Sequence, residues 1–219
     1  MKIGVVVAMQ AELNPILKKL PHTEQQICGK VIYRTKIAEN EGFIIRSGVG
    51  EIAAAAATQF LITACGVEAI INVGVAGSLD PDLLLGDTVL VQGVVHYDFD
   101  TSALDGIPQG KYSEFDDVIV PCDVALAEKL LNNARTMKRA IVASGDKFVA
   151  DSLAKNTLHT RFGAGLAEME SAGVILTATR NNVPVIAVKI VSDNADENAI
   201  VDFEAMFNAN ADVIADCLS

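Results

Sequence analysis

The chain has 219 residues, 51% hydrophobic and 21% charged, the balance of a soluble globular protein of one domain or at most two small ones. Seventeen Lys and Arg stand against 28 Asp and Glu, a formal charge of -11, and such a surface repels phosphate backbones, so nucleic-acid binding is not expected. Cys28, Cys65, Cys122 and Cys217 are scattered, with no C-x-x-C pair and no grouping with His22, His96 or His159, which predicts a reduced, cytosolic, metal-free protein rather than a disulfide or zinc framework.

The amino-terminal MKIGVVVAMQAEL lacks the basic region, longer apolar core and small-residue cleavage site of a signal peptide, and it reads as a buried first strand over residues 3–8. Further Val- and Ile-rich runs follow at 31–36, 42–47, 69–73, 88–95, 140–144 and 185–191. Most are apolar without alternation, as strands covered on both faces are. No run approaches the ~18 residues that cross a bilayer, so no membrane partner is expected. Helices are predicted at 51–65, rich in Ala and stopped by Gly66; at 123–135, opened by an Asp123 cap; and at 171–180, ahead of Asn181, Asn182 and Pro184. Strands alternating with helices predict an α/β fold of three layers, a central sheet flanked by helices. The short connections among the early runs suit antiparallel pairing, so the sheet should be mixed. With no linker, repeat or low-complexity break, residues 1–219 read as one domain.

In such sheets ligands bind beyond the carboxyl ends of the strands, which directs attention to MQAE, SGVGE, NVGVAGS, SGDKFVAD and VSDNAD. Glu12 is either an acid in a first helical turn or a buried general base aimed at water. Asp193 is either a helix cap or loop acid, or a general acid whose proton is retained by a sheltered site. Glu170 could cap the helix that follows or pair with Arg161, Arg180 or Lys189; as a free carboxylate it suits a vicinal diol, such as the 2′ and 3′ hydroxyls of ribose. Phe148 is either a core residue or a stacking platform for a flat heterocycle. The glycine turns at 47–50 and 74–77 allow close approach of backbone amides but match no Walker A or dinucleotide fingerprint. In LAEMESAG, Glu168 and Glu170 stand two apart in a segment heading for the core, a spacing that could make them a carboxylate couple.

Taken in order, MKIGVVVAMQAE, SGVGEIAAA, INVGVAGSL, GDTV, HYDFDTSAL, SGDKF, AEMESAG and VSDNAD resemble the nucleoside phosphorylase/nucleosidase superfamily, and within it the bacterial 5′-methylthioadenosine/S-adenosylhomocysteine nucleosidases. The resemblance spans nearly the whole chain. It implies hydrolysis of the N-glycosidic bond of an adenine nucleoside without cofactor or metal, in a cytoplasmic homodimer. By the same resemblance Glu12 activates water, Asp193 protonates adenine at N7 with Ser192 orienting it, Met169 and Glu170 hold the ribose, Phe148 stacks on adenine and the backbone of Val149 reads its edge. Ala76 and Gly77 belong to the substrate-lining turn. Met9, Val49 and Phe203 match apolar positions around the 5′ group, and Leu104 and Pro108 match lining contributed across the dimer. Glu168 keeps no assigned role beyond that of an acid with a charged or amide partner.

Phosphorylases of the superfamily hold phosphate with arginines, one just before the glycine turn, where this chain has Asn72; with Glu12 in the first loop, water is the expected nucleophile. Three features depart from the nucleosidase pattern: Val75 in place of Ser, Lys189 in place of Arg, and a short DGIPQGKY loop. They leave open a different purine nucleoside, for example a futalosine-like compound, a phosphorylase, or a nucleoside-binding protein without catalysis.

Overall fold

In the computed structural model, which describes residues 1–131, 134–210 and 213–218, the first apolar run forms β1 (Lys2–Val7) and leads into α1 (Gln10–Lys19). A polar strand β2 (Thr23–Ile27), β3 (Lys30–Ile37) and β4 (Asn40–Arg46) follow as an antiparallel meander, and β4 lies parallel to β1. The Ala-rich stretch forms α2 (Glu51–Phe60), whose end widens into a π-type turn over Leu61–Cys65 before Gly66 adopts the left-handed conformation.

Next come β5 (Ala69–Ser78), β6 (Thr88–His96), the single turn α3 (Ser102–Asp105) and the short β7 (Val120–Pro121). The helix expected at 123–135 is shorter, α4 (Val124–Leu130); its predicted cap is present, with Leu126 N–H donating to Asp123 Oδ1 at 2.8 Å. Part of its expected end, 132–133, lies outside the described residues. Then come β8 (Lys138–Ser144), α5 (Ser152–Phe162), β9 (Leu166–Glu168), α6 (Ser171–Arg180), β10 (Val185–Asp193), α7 (Ala199–Asn210) and α8 (Val213–Leu218).

The sheet is mixed, as expected. From its polar edge it runs β2, β3, β4, β1, β5, and there it closes on itself: β5 pairs with β10, β10 with β6, β6 with β8, β8 with β9, and β9 returns to β5. Residues alternate between two cores. Ile3, Val5 and Val7 of β1 and Ile71 and Val73 of β5 join Leu13 and Ile16 of α1 and Met206, Ala215 and Leu218 of the last two helices. Val6 and Ile70 face the opposite side, with Ala54 and Ala57 of α2 and Val174, Ile175 and Ala178 of α6. Burial on both faces explains the unbroken apolar runs, each sealed Ile or Val contributing about 1.5–3 kcal/mol.

Two expectations need correction. The run at 69–73 does not end in a glycine turn: β5 continues through Gly74 and Gly77 to Ser78, because β10 pairs with it along that whole length. The unforeseen α5 has weak amphipathicity, although its ends carry ordinary signals: Ala154 N–H donates to the Asp151 cap at 2.7 Å, and Gly163 is left-handed. Among the described residues no helix is long and apolar enough to cross a membrane.

Candidate active site

A cavity of about 210 Å³ opens at the carboxyl ends of β1, β5, β9 and β10. Met9 and Glu12 come from the start of α1, and Val75, Ala76 and Gly77 from β5. Met169 and Glu170 come from the bend after β9, and Ser192 and Asp193 from the end of β10. Val49, Phe148 and Phe203 complete the apolar wall, along with Ala8, Ala167 and Glu168. Eleven of the fourteen residues singled out from the sequence therefore meet at one place. Val149 lies one residue beyond Phe148, lining a neighbouring hollow. Leu104 and Pro108 lie away from the cavity on the exposed loop around α3, with Leu104 88% exposed.

Glu12 is an acid of the first turn of α1 and is also buried. Its Oε2 accepts the Met9 N–H at 2.8 Å, closing the first turn of α1, while Oε1 accepts the Val75 N–H of β5 at 3.0 Å. Burial pushes its carboxyl above the usual range; the backbone donors and the charge of Lys189 only moderate the shift. Asp193 is not a loop acid. It closes β10, buried, after a register shift between Val191 and Asp193 that leaves Ser192 as the extra residue of a bulge. Ser192 Oγ donates to Asp193 Oδ2 at 2.7 Å and Ala195 N–H to Oδ1 at 2.9 Å, yet burial still raises the carboxyl above its ordinary value. Both acids need the glycines of β5. A Cβ on Gly74 would lie 2.8 Å from Glu12 Oε1, and one on Gly77 would lie 2.7 Å from Asp193 Oδ1.

The LAEMESAG acids have separate surroundings. Glu168 pairs with Lys189, Nζ to Oε2 at 2.8 Å, so Lys189 serves this acid rather than Glu170. Of the other two cations considered for Glu170, Arg180 instead holds Glu114 and Arg161 lies over the Phe162 ring. Glu170 occupies the N-cap position of α6 without making a cap bond; its Oε1 accepts the Gly50 N–H at 3.0 Å. Burial and the neighbouring Glu168 push its carboxyl up to about 7. Phe148 is not a core residue. It is 47% exposed at the cavity mouth and meets Phe203 edge-on, ring centres 6.1 Å apart at 86°.

Asn72 faces the interior, its amide donating to Val6 O at 3.3 Å and its carbonyl accepting from Ser171 Oγ at 3.0 Å. Among the described residues the cavity has no basic lining, and no group of His, Cys, Asp and Glu is placed to hold a metal ion. One buried acid beside the site escaped the sequence reading. Glu51, the last residue of the inspected SGVGE segment, opens α2, where it reads as an ordinary first-turn acid. Its carboxyl instead turns inward, to Ser144 Oγ and to the Gly173 N–H of α6.

Residues 2–219 match the family model of the Phosphorylase superfamily, and the chain belongs to that superfamily. Within it the similarity runs to bacterial nucleosidases. The chain is 33% identical over 219 residues to the aminodeoxyfutalosine nucleosidase of Helicobacter pylori, across 98% of this chain and 94% of that protein. It is 31% identical over 210 residues to the 5′-methylthioadenosine/S-adenosylhomocysteine nucleosidase of Shewanella piezotolerans, across 93% of this chain and 91% of that protein. The solved structure of the Helicobacter pylori 5′-methylthioadenosine/S-adenosylhomocysteine nucleosidase, complexed with a pyrrolopyrimidine-bearing pyrrolidinol, superposes with a TM-score of 0.88 at 32% identity, covering 98% of this chain and 94% of that one.

Proposed function

We propose that the chain, as one domain over its whole length, hydrolyses the N-glycosidic bond of 5′-methylthioadenosine, S-adenosylhomocysteine or both, releasing adenine and the 5-thioribose product. The observation that carries this reading is the meeting of two buried acids, Glu12 and Asp193, with Glu170 and Phe148 around one small cavity. Breaking the bond leaves positive charge on the sugar and negative charge on the base, as in glycoside hydrolysis. Asp193, held by Ser192 and Ala195 and raised by burial above the ordinary carboxylate range, gives its proton to N7 and so neutralises the departing adenine. The carbon left behind is oxocarbenium-like and strongly electrophilic, so the attacking water needs little activation. Glu12 accepts the water's proton.

Recognition divides along the cavity. Phe148 stacks on adenine and the Val149 backbone reads its edge, while Met169 packs on the ribose and Glu170 accepts its hydroxyls. Ala76 and Gly77 form the floor, and Met9, Val49 and Phe203 surround the 5′ group. The non-basic lining supports water over a phosphate dianion as nucleophile. Similarity to an aminodeoxyfutalosine nucleosidase supports a second substrate, an adenine nucleoside with a different 5′ substituent. We read the chain further as a cytoplasmic homodimer in methionine salvage and nucleoside catabolism, with Leu104 and Pro108 reaching the partner's 5′ pocket. The exposure of Leu104 supports that placement.

Incubation with each of the three nucleosides in phosphate-free buffer, followed by adenine detection, tests the reading. Adenine release without phosphate is expected; strict phosphate dependence, or inertness towards all three, would overturn it. Sedimentation at micromolar concentration tests the dimer.

A further inference from the structure

The first N–H groups of an α-helix have no acceptor within the helix. At α6 they are taken in turn by side chains from three other elements. Glu168 of β9 accepts from Glu170 N at 3.1 Å and from Ser171 N at 3.0 and 3.1 Å. Ser144 Oγ of β8 accepts from Ala172 N at 3.0 Å, and the Glu51 carboxyl of α2 accepts from Gly173 N. Glu170 is thereby released from capping its own helix, and its Oε1 takes the Gly50 N–H instead. The starts of α2 and α6 are thus bonded reciprocally, Gly50 N–H to Glu170 and Glu51 to Gly173 N–H. Gly173 makes this approach possible, since a Cβ there would lie 2.3 Å from Glu51 O and 2.9 Å from Glu51 Oε2. Ser144 ties Glu51 to the end of β8 through its hydroxyl. Glu51 itself does not line the cavity.

We infer that Glu51 is a positioning residue for sugar recognition: by bridging Ser144 and the Gly173 amide it holds the start of α6 against α2. One oxygen of Glu170 is then fixed on Gly50 while the carboxylate faces the substrate. The inference rests on the reading of Glu170 as the acceptor of the ribose hydroxyls. Burial, with Glu168 and Glu170 close by, pushes the Glu51 carboxyl up to about 8. At neutral pH it therefore bridges as a protonated group and adds no further anion to the cluster. Glutamine can make the same bridge, its oxygen on Gly173 N–H and its nitrogen donating to Ser144 Oγ. Leucine cannot bridge, and aspartate is one methylene short.

The test is a double-mutant cycle of Glu51→Leu and Glu170→Gln, assayed by adenine release from methylthioadenosine and from its 3′-deoxy analogue, with Glu51→Gln as the conservative variant. Misplacing the carboxylate by about 1 Å should lower kcat/KM for the riboside roughly 10–100-fold in Glu51→Leu. The 3′-deoxy substrate should lose much less, and Glu51→Gln should restore the riboside rate. In the Glu170→Gln background Glu51→Leu should add almost nothing. Multiplying effects, equal losses on the two substrates, or a Glu51→Gln as impaired as Glu51→Leu would each overturn the role of Glu51 while leaving that of Glu170 standing. If Glu170→Gln alone keeps full discrimination against the 3′-deoxy analogue, the sugar assignment fails, and this inference with it. Should Glu51→Leu not fold, Glu51→Asp replaces it, with the same expected pattern and the same overturning results.

Discussion

Lys189 Nζ lies 2.8 Å from Glu168 Oε2, and the two side chains are only 2% and 3% exposed. Burial alone would discharge both. Instead the lysine, facing Glu168 and more distantly Glu170 and Glu12, is raised, and Glu168, facing Lys189, is held below the usual carboxylate range. Because Glu168 also takes the amides of Glu170 and Ser171, the pair braces the bend on which Glu170 stands. Lys189→Met therefore leaves a buried, bonded carboxylate without its counter-charge, a loss of about 3–5 kcal/mol. Urea unfolding checks this, and Lys189→Met/Glu168→Gln should recover most of the loss; equal destabilisation in the single and double variants would show that the ion pair is not the cause.

Glu12→Gln and Asp193→Asn should each reduce turnover by roughly 10²–10⁴-fold, as expected for a lost proton acceptor or donor. Gly77→Ala should resemble Asp193→Asn in kinetics, because the added methyl would lie 2.7 Å from Asp193 Oδ1 and must move the acid. Single-turnover adenine release separates this loss in chemistry from a loss in binding. Near-native rates in Glu12→Gln and Asp193→Asn would show that other groups move the protons.

The pH dependence of kcat/KM should rise through about 7 on its acid side, since Glu170, pushed up to about 7 by burial and by Glu168, must be ionised to accept two hydroxyl hydrogen bonds. Glu170→Gln should lose that limb. Asp193, needed as a proton donor, is raised by burial in the direction that favours its protonated form.

Stability should carry the opposite trend from Glu51. Its folded-state value of about 8 lies above the ordinary carboxylate value of 4.5, so between the two the folded chain binds its proton more tightly than the unfolded chain. The resulting stabilisation is full below about 4.5 and is lost as pH rises through about 8. Differential scanning calorimetry from acid to mildly alkaline pH should show a shallower fall in Tm for Glu51→Gln than for the parent. Identical slopes would mean that Glu51 titrates alike in both states.

Much of this organisation is legible in the sequence because it is local. Apolar runs mark strands covered on both faces, and acids directly after them fall at the carboxyl ends, where Glu12, Glu170 and Asp193 do line one cavity. What escapes is non-local. Nothing within LAEMESAG says which acid meets Lys189, since the choice depends on the bend at Met169 and on the face of β10 brought opposite. Glu51 looks like a helix-opening acid until α6 arrives beside it and Gly173 admits its carboxyl. The end of β5 was misplaced for a related reason: glycines that mark a turn in isolation are here notches for the acids of two neighbouring elements.

The closure of the sheet bears on the lifetime of the site. Its closing strand, β9, spans only Leu166–Glu168, yet it joins β5 at Gly77 and Ser78 to β8 at Val142, Ala143 and Ser144, segments far apart in the chain. Contacts of such separation form late in folding and, being few, open early. When β9 detaches, Glu168 and Glu170 leave with it, while β1, β5 and β10 keep their ladders. Amide exchange at Leu166 and Ala167 should therefore be faster than in the centre of β5, and its opening rate measures how often an otherwise folded molecule is without Glu168 and Glu170 at the cavity.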